Sequence, residues 1–247
     1  MIRPARAAAA GIARLAELLV FPSFCKICRE PLDKPGEKIV CGACLAGLRP
    51  RRGPVCPLCG RFEDGPGEGH LCRRCLARPP ALSRHRSCGV YGGPLKDVVL
   101  LFKYRKYAPL GRPLALFAAS CLGDDAELWD GVDRLVPVPL HPARRRDRGF
   151  NQARLFARGL AAPRGLDVLS GSLVKVRNAP AQAGLKAAER ERNVRGVYAV
   201  RRPERVRGLT LLLVDDVTTT GATIRECARV LKAAGAKEVR AITIAQA

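Results

Sequence analysis

Eight of the eleven cysteines form a repeat: Cys25, Cys28, Cys41 and Cys44 recur at a constant offset as Cys56, Cys59, Cys72 and Cys75, each unit reading C-x2-C-x12-C-x2-C. A C-x2-C pair puts two sulfurs on one metal from a single turn. Two such pairs complete a tetrahedral set of four thiolates, the donor set of structural Zn2+. Glycine follows the second cysteine in Cys59-Gly60, where a tight knuckle needs conformational freedom. The repeat favours one Zn2+ per unit, two in all; a crossed pairing satisfies the same stoichiometry. Four protein ligands leave no open coordination position, so the expected role is structural. Redox chemistry is disfavoured by four C-x2-C copies with no thioredoxin-like βαβ pattern beside them.

A second group of reactive types lies in LLLVDDVTTTGAT, residues 211–223. Apolar residues read as a buried parallel strand, followed by Asp215 and Asp216 at its carboxyl end. A short loop of hydroxyl residues, Thr218, Thr219 and Thr220, follows, and Gly221 opens a helix that continues through Ala222 and Thr223. Ligands of open α/β sheets bind at the carboxyl ends of the strands. The N–H groups of a Thr/Gly turn opening a helix make an anion site. The carboxylates would repel that anion, so they must face sugar hydroxyls or a magnesium-bound group. The pattern fits a phosphate with a neighbouring diol.

Those residues need a scaffold. From residue 85 onward, strand-like and helix-like runs alternate. SCGVYGG, DRLVPVPL, VRGVYAV, LTLLLVDDV and KEVRAITIAQ read as strands. PLKDVVLLFKYRKY, PLGRPLALFAASCL, GFNQARLFARGLAA and GATIRECARVLKAAG read as helices. Such alternation predicts an α/β fold, a mostly parallel sheet with helices on both faces. Between Lys175 and Asn193 a polar Gly- and Pro-containing segment reads as a mobile loop running into a short helix, in a place where lids are found. The expected organisation is an amphipathic helix over 1–23, a cysteine-rich double zinc module over 24–80, and the α/β domain over 85–247.

Hydrophobic residues make up 47% and aromatics 5%, so the core is aliphatic. The net charge is +22, and eight thiolates around two Zn2+ lower it to about +18. That excess, mostly arginine, attracts phosphate-rich ligands or nucleic acid. No apolar run approaches the roughly 20 residues that span a bilayer. Arg14 and Glu17 interrupt the N-terminal apolar stretch, which argues against a signal peptide. The expectation is a cytoplasmic protein, where paired cysteines hold metal rather than disulfides. Cys88, Cys121 and Cys227 sit in apolar contexts and read as structural thiols. His70 lies beside Cys72 and could replace a ligand, although the cysteine count does not require it; His85 and His141 stand alone, and no Ser-His-Asp or Cys-His arrangement argues for a covalent nucleophile.

The acid pair with its Thr-Gly turn resembles the motif of type I phosphoribosyltransferases that binds 5-phosphoribosyl pyrophosphate (PRPP). VPVPLHPARRRDRGFNQ, AQAGLKAAERERNVRG and DDVTTTGAT, in that order behind paired cysteines, resemble the ComF family, linked to DNA uptake in bacterial competence. The resemblance implies a type I phosphoribosyltransferase-like domain behind a double zinc ribbon. It implies that Asp215 and Asp216 hold the ribose hydroxyls, that residues Thr218 to Thr223 wrap the 5-phosphate, and that Mg2+ accompanies PRPP. Pro139 and Leu140 then fall in the pyrophosphate loop, with Arg148, Asn151 and Gln152 offering donors beside it. Lys175, Arg177, Gln182, Arg190 and Asn193 flank a closing lid, with Lys175 and Arg190 placed to stabilise departing pyrophosphate. The implied reaction is displacement of pyrophosphate at ribose C1 by an acceptor that no residue identifies. Two rivals remain at this level. One is a non-catalytic protein that binds single-stranded DNA, alone or with other competence proteins. Tyr91, Phe102, Tyr104, Tyr107 and Phe150 are its available stacking aromatics. The other is a regulator that senses PRPP.

Overall fold

A computed structural model describes residues 23–32, 39–177 and 187–247. The expected helix over 1–23 and the lid residue Gln182 fall outside them. The chain divides into two compact units, Met1–Leu48 and Arg49–Ala247. In the first, Cys25, Cys28, Cys41 and Cys44 gather around two turns and a short helix, α1 (Gly42–Ala46), capped by the Cys41 side chain.

The second unit opens with the other four cysteines and α2 (Arg73–Ala77). There follow β1 (Arg84–Val90), α3 (Gly93–Tyr104), α4 (Gly111–Leu122), α5 (Ala126–Trp129), β2 (Arg134–Pro137), α6 (Pro142–Arg148) and α7 (Gln152–Ala161). The chain continues with β3 (Asp167–Val168), β4 (Leu173–Lys175), α8 (Ala187–Val194), β5 (Tyr198–Val200), β6 (Thr210–Thr218), α9 (Ala222–Ala233) and β7 (Glu238–Gln246). Five strands form one sheet in the order β1-β7-β6-β2-β3, every pairing parallel, while β4 and β5 make a separate antiparallel hairpin.

The sequence explains the layering. Leu211, Leu212, Leu213 and Val214 are all buried, as a central parallel strand requires. The period of two sends Leu211 and Leu213 into one layer with Ile224, Cys227, Ala228 and Leu231 of α9. On the opposite face α4 and α7 pack against one another and against β1, β2 and β6. There Gly159 lets the helices approach: a Cβ on it would lie 2.5 Å from Ala115 Cβ. Phe102 and Phe156 are fully buried. Both faces of the sheet are therefore covered, as the alternation predicts.

One local feature departs from the expectations. α6 arises from PARRRDR, which had no helix assigned; Pro142 starts it, His141 caps it, and Gly149 ends it at φ 79°. β6 carries the acids within the strand, as LTLLLVDDV implies. It stays paired with β7 through Thr218, opposite Gln246, whereas its ladder with β2 ends at Val214. Among the described residues no helix is long and apolar enough to cross a membrane.

Candidate functional site

In each cysteine set the four sulfurs lie within 4.8 Å of one another. Cys25–Cys44 Sγ atoms are 3.9 Å apart, Cys28–Cys41 3.6 Å and Cys59–Cys72 3.7 Å. Four thiolates at a Zn–S length of about 2.3 Å have edges of about 3.8 Å, so both sets fit Zn2+, and each pairs sulfurs within its own unit. Backbone N–H groups already point at the sulfurs: Ile27 and Cys41 at Cys25 Sγ, Cys44 at Cys41 Sγ, and Cys72 at Cys56 Sγ. Burial opposes ionisation of Cys25 and Cys56, but these donors outweigh it and bring the thiols down to about 6 and about 7. Burial and the neighbouring sulfurs push Cys44 up to about 12. A cation at the centre removes that conflict.

The second set is built onto the parallel sheet. His85, 2% exposed, contacts Cys59 O through Nδ1 at 3.0 Å and Thr243 Oγ1 through Nε2 at 3.1 Å. Burial holds its imidazole down at about 4, so it is neutral and structural. Cys88 and Cys227 are buried; Cys121 keeps partial exposure.

The acid pair sits where β2 has run out. Val138 N–H donates to Val214 O at 2.9 Å, and beyond it β6 has only β7 beside it in the sheet. Asp216 carries Oδ1 2.8 Å from Lys103 Nζ, which comes from the last turn of α3, and both side chains are largely buried. Burial works against the Lys103 charge, yet Asp216 outweighs it and raises the ammonium above its usual range. Asp215 lies on the face of Leu211 and Leu213, toward α9. Burial, then the Asp216 charge, lift its carboxyl to about 7, against the pull of Lys103 and Arg148. One acid is neutralised by a lysine and its neighbour holds a proton near neutrality: two adjacent carboxyls short of one positive partner.

Past the acids, Thr218 is buried and Gly221 adopts φ 72°, a left-handed turn that costs glycine little, before α9 begins. Ala222 N–H donates to Thr220 Oγ1 at 3.4 Å. α9 has no acid in its first turn, so its positive end faces Thr218–Gly221 unopposed.

Of the remaining predicted residues, Lys175 and Arg148 act electrostatically on Asp215. Lys175, at the end of β4, stands 5.8 Å above the Tyr198 ring. Burial and the nearby Arg144 depress its ammonium, and Asp215 draws it the other way. Arg148 lies over the Tyr104 ring at 5.0 Å and donates to Gln152 Oε1 at 3.4 Å. Lys103, Tyr104, Arg144, Asp147 and Arg148 line a cavity of about 340 Å³. Pro139 and Leu140 border a larger one of about 840 Å³. Asn151 is committed elsewhere, donating to Val138 O at 3.0 Å and capping α7 through Arg154 N. It ties the end of β2 to α7. Arg177 donates to Gly196 and Arg195 carbonyls across the base of the loop. Arg190 lies on α8, with its side chain outside the described residues. Of the aromatics, Phe102 is buried and rests 5.7 Å from Phe150, while Tyr104 is exposed.

Sequence reasoning missed Lys103. FKYRKY showed a cationic helix end, but nothing local indicated that α3 would deliver it to an acid 113 residues later.

Comparison with known proteins agrees with this geometry. A family model described as a phosphoribosyl transferase domain matches residues 148–247, and one described as a double zinc ribbon domain matches residues 17–76. A "DNA utilization protein YhgH" of Salmonella typhimurium is 34% identical over 225 residues, 90% of this chain and 96% of its own. "Competence protein F" of Haemophilus influenzae is 32% identical over 64% of this chain and 71% of its own. "Competence protein ComFC" of Bacillus subtilis is 30% identical over 81% of this chain and 80% of its own.

Proposed function

The chain belongs to the ComF family, and from that premise we propose that its α/β domain binds PRPP together with Mg2+. The observation that carries the reading is the under-neutralised pair Asp215–Asp216, set directly before an N–H-rich turn at the start of α9. A ribose 5-phosphate meets both needs: its hydroxyls face the acids and its phosphate faces Thr218–Thr223. The carboxyl oxygens are the hard donors Mg2+ prefers. Bound there, the ion would neutralise pyrophosphate charge and supply the positive partner the pair lacks. Lys175, Arg144 and Arg148 surround the same centre with cations suited to the pyrophosphate oxygens.

The chemistry open to a ligand so held is loss of pyrophosphate from C1. The protein contributes orientation and charge, not a covalent nucleophile. In this reading residues 178–186, which lie outside the described residues, form the lid. The two metal sets belong to its scaffold, and the domain limits proposed are 24–80 for the ribbons and 85–247 for the ligand domain. Thermal-shift titration tests the reading. PRPP with Mg2+ should raise Tm more than ribose 5-phosphate or pyrophosphate alone. Equal shifts from PRPP and inorganic phosphate would refute a phosphoribosyl site.

A second reading has its own observation. Arg145, Arg146, Arg154, Arg158, Lys175 and Arg201 line the cavity of about 840 Å³, and none of its lining residues among the described ones is acidic. Arg154 Nε is buried there with no hydrogen-bond partner among the described residues. Such a groove suits a nucleic-acid backbone, consistent with relatives named for competence and DNA utilization. Binding of a single-stranded oligonucleotide should then weaken steeply with salt; salt-independent binding would contradict it.

A further inference from the structure

The second cysteine set does more than stabilise its own loop. α2 lies between two of its ligands, Cys72 and Cys75, and carries Arg74. Arg74 donates through one nitrogen to the Thr220 carbonyl and through the other to Glu191 Oε1 on α8. Thr220 belongs to the turn that opens α9, and α8 packs against α9. One guanidinium thus joins the knuckle both to that turn and to α8. From the other direction, Arg225 in the first turn of α9 donates to Cys75 Sγ at 3.3 Å and to Arg78 O at 3.2 Å.

The knuckle is a firm base for these arms. The Gln246 side chain accepts from Phe62 N at 2.9 Å and donates to Gly60 O at 3.3 Å, so the end of β7 clasps the knuckle turn. At Gly60, φ 63°, an added Cβ would lie 2.2 Å from His85 O, leaving no room for displacement or substitution. A cavity of about 660 Å³ separates knuckle and turn, and Arg74 and Arg225 reach across it. Four thiolates around Zn2+ carry a net negative charge, which holds two adjacent guanidiniums in place as an outer shell.

We propose that Arg74 is a positioning residue through which the second metal set fixes the Thr218–Gly221 turn and the start of α8. Ligand affinity at the turn then depends on that metal set. This rests on the turn being the phosphate site, as proposed above, so the test separates the two. Full-length, zinc-loaded wild type, Arg74→Ala, Arg74→Lys and the neighbouring exposed Arg73→Ala are compared by amide hydrogen exchange and by PRPP–Mg2+ calorimetry.

Arg74→Ala should keep its full zinc content, speed exchange of the amides over 218–224, and weaken PRPP by about tenfold or more. Arg74→Lys, able to reach one acceptor, should fall between, and Arg73→Ala should match wild type. Cys75→Ser should lose one zinc and reproduce the faster exchange. Unchanged exchange in Arg74→Ala, or the same change in Arg73→Ala, would overturn the proposal. Exchange is read without ligand, so it decides the coupling even where wild type binds no PRPP, a result that would count against the phosphoribosyl reading alone.

Discussion

Replacing Asp215 by Asn should stabilise the protein above neutral pH while removing its ligand. In the folded chain burial and Asp216 raise this carboxyl from 3.8 to about 7. The unfolded chain ionises near its ordinary value, so between about pH 4 and 7 the folded state holds a proton that the unfolded state has lost. Stability contributed by that proton falls as pH rises and is fully gone above 7. Three units at about 1.4 kcal/mol each amount to about 4 kcal/mol, and partial solvent contact of the side chain halves this to about 2 kcal/mol. For a domain of this size that is a Tm gain of about 4–8 °C at pH 8. At pH 5.5, still high enough to keep thiolates on zinc, the gain should shrink to about half. Differential scanning calorimetry of both proteins at the two pH values measures it. A variant no more stable at pH 8, or one whose gain is the same at pH 5.5, would refute the strained-carboxylate argument.

Other consequences are directly measurable. Elemental analysis should find about two zinc ions per chain, one for each four-thiolate set; one zinc would dismiss one set as a metal site. Lys103→Met leaves Asp216 unpaired in a largely buried place, which should cost about 3 kcal/mol, read from urea unfolding; an unchanged midpoint would contradict the pairing. PRPP affinity should rise with pH up to about 7, because bound ligand and Mg2+ favour ionised Asp215; a pH-independent constant from 6 to 8 would contradict this. Gly60→Ala should loosen the second knuckle, visible as faster exchange around Phe62, since its Cβ collides with backbone.

The parts of this site readable from sequence were those encoded locally. C-x2-C spacing is a property of one turn, and the two sets form within their own repeats as the offset implies. The acid pair and Thr-Gly turn are contiguous, so strand, site and helix start could be placed together. What escaped was carried by tertiary packing. Lys103 reaches Asp216 only because α3 folds over β6. Arg74 meets Thr220 only because the second knuckle seats against the end of β7. α6 was hidden for another reason. PARRRDR has no apolar periodicity to announce a helix, although Pro142 and Gly149 mark its two ends.

The most direct test of the central claim is calorimetric titration of PRPP with Mg2+ into wild type and into Asp215→Asn/Asp216→Asn. Binding by the wild type, absent in a variant that keeps its fold and zinc, is the predicted result. Equal affinity in both, or no binding by a folded and zinc-loaded wild type, would contradict it.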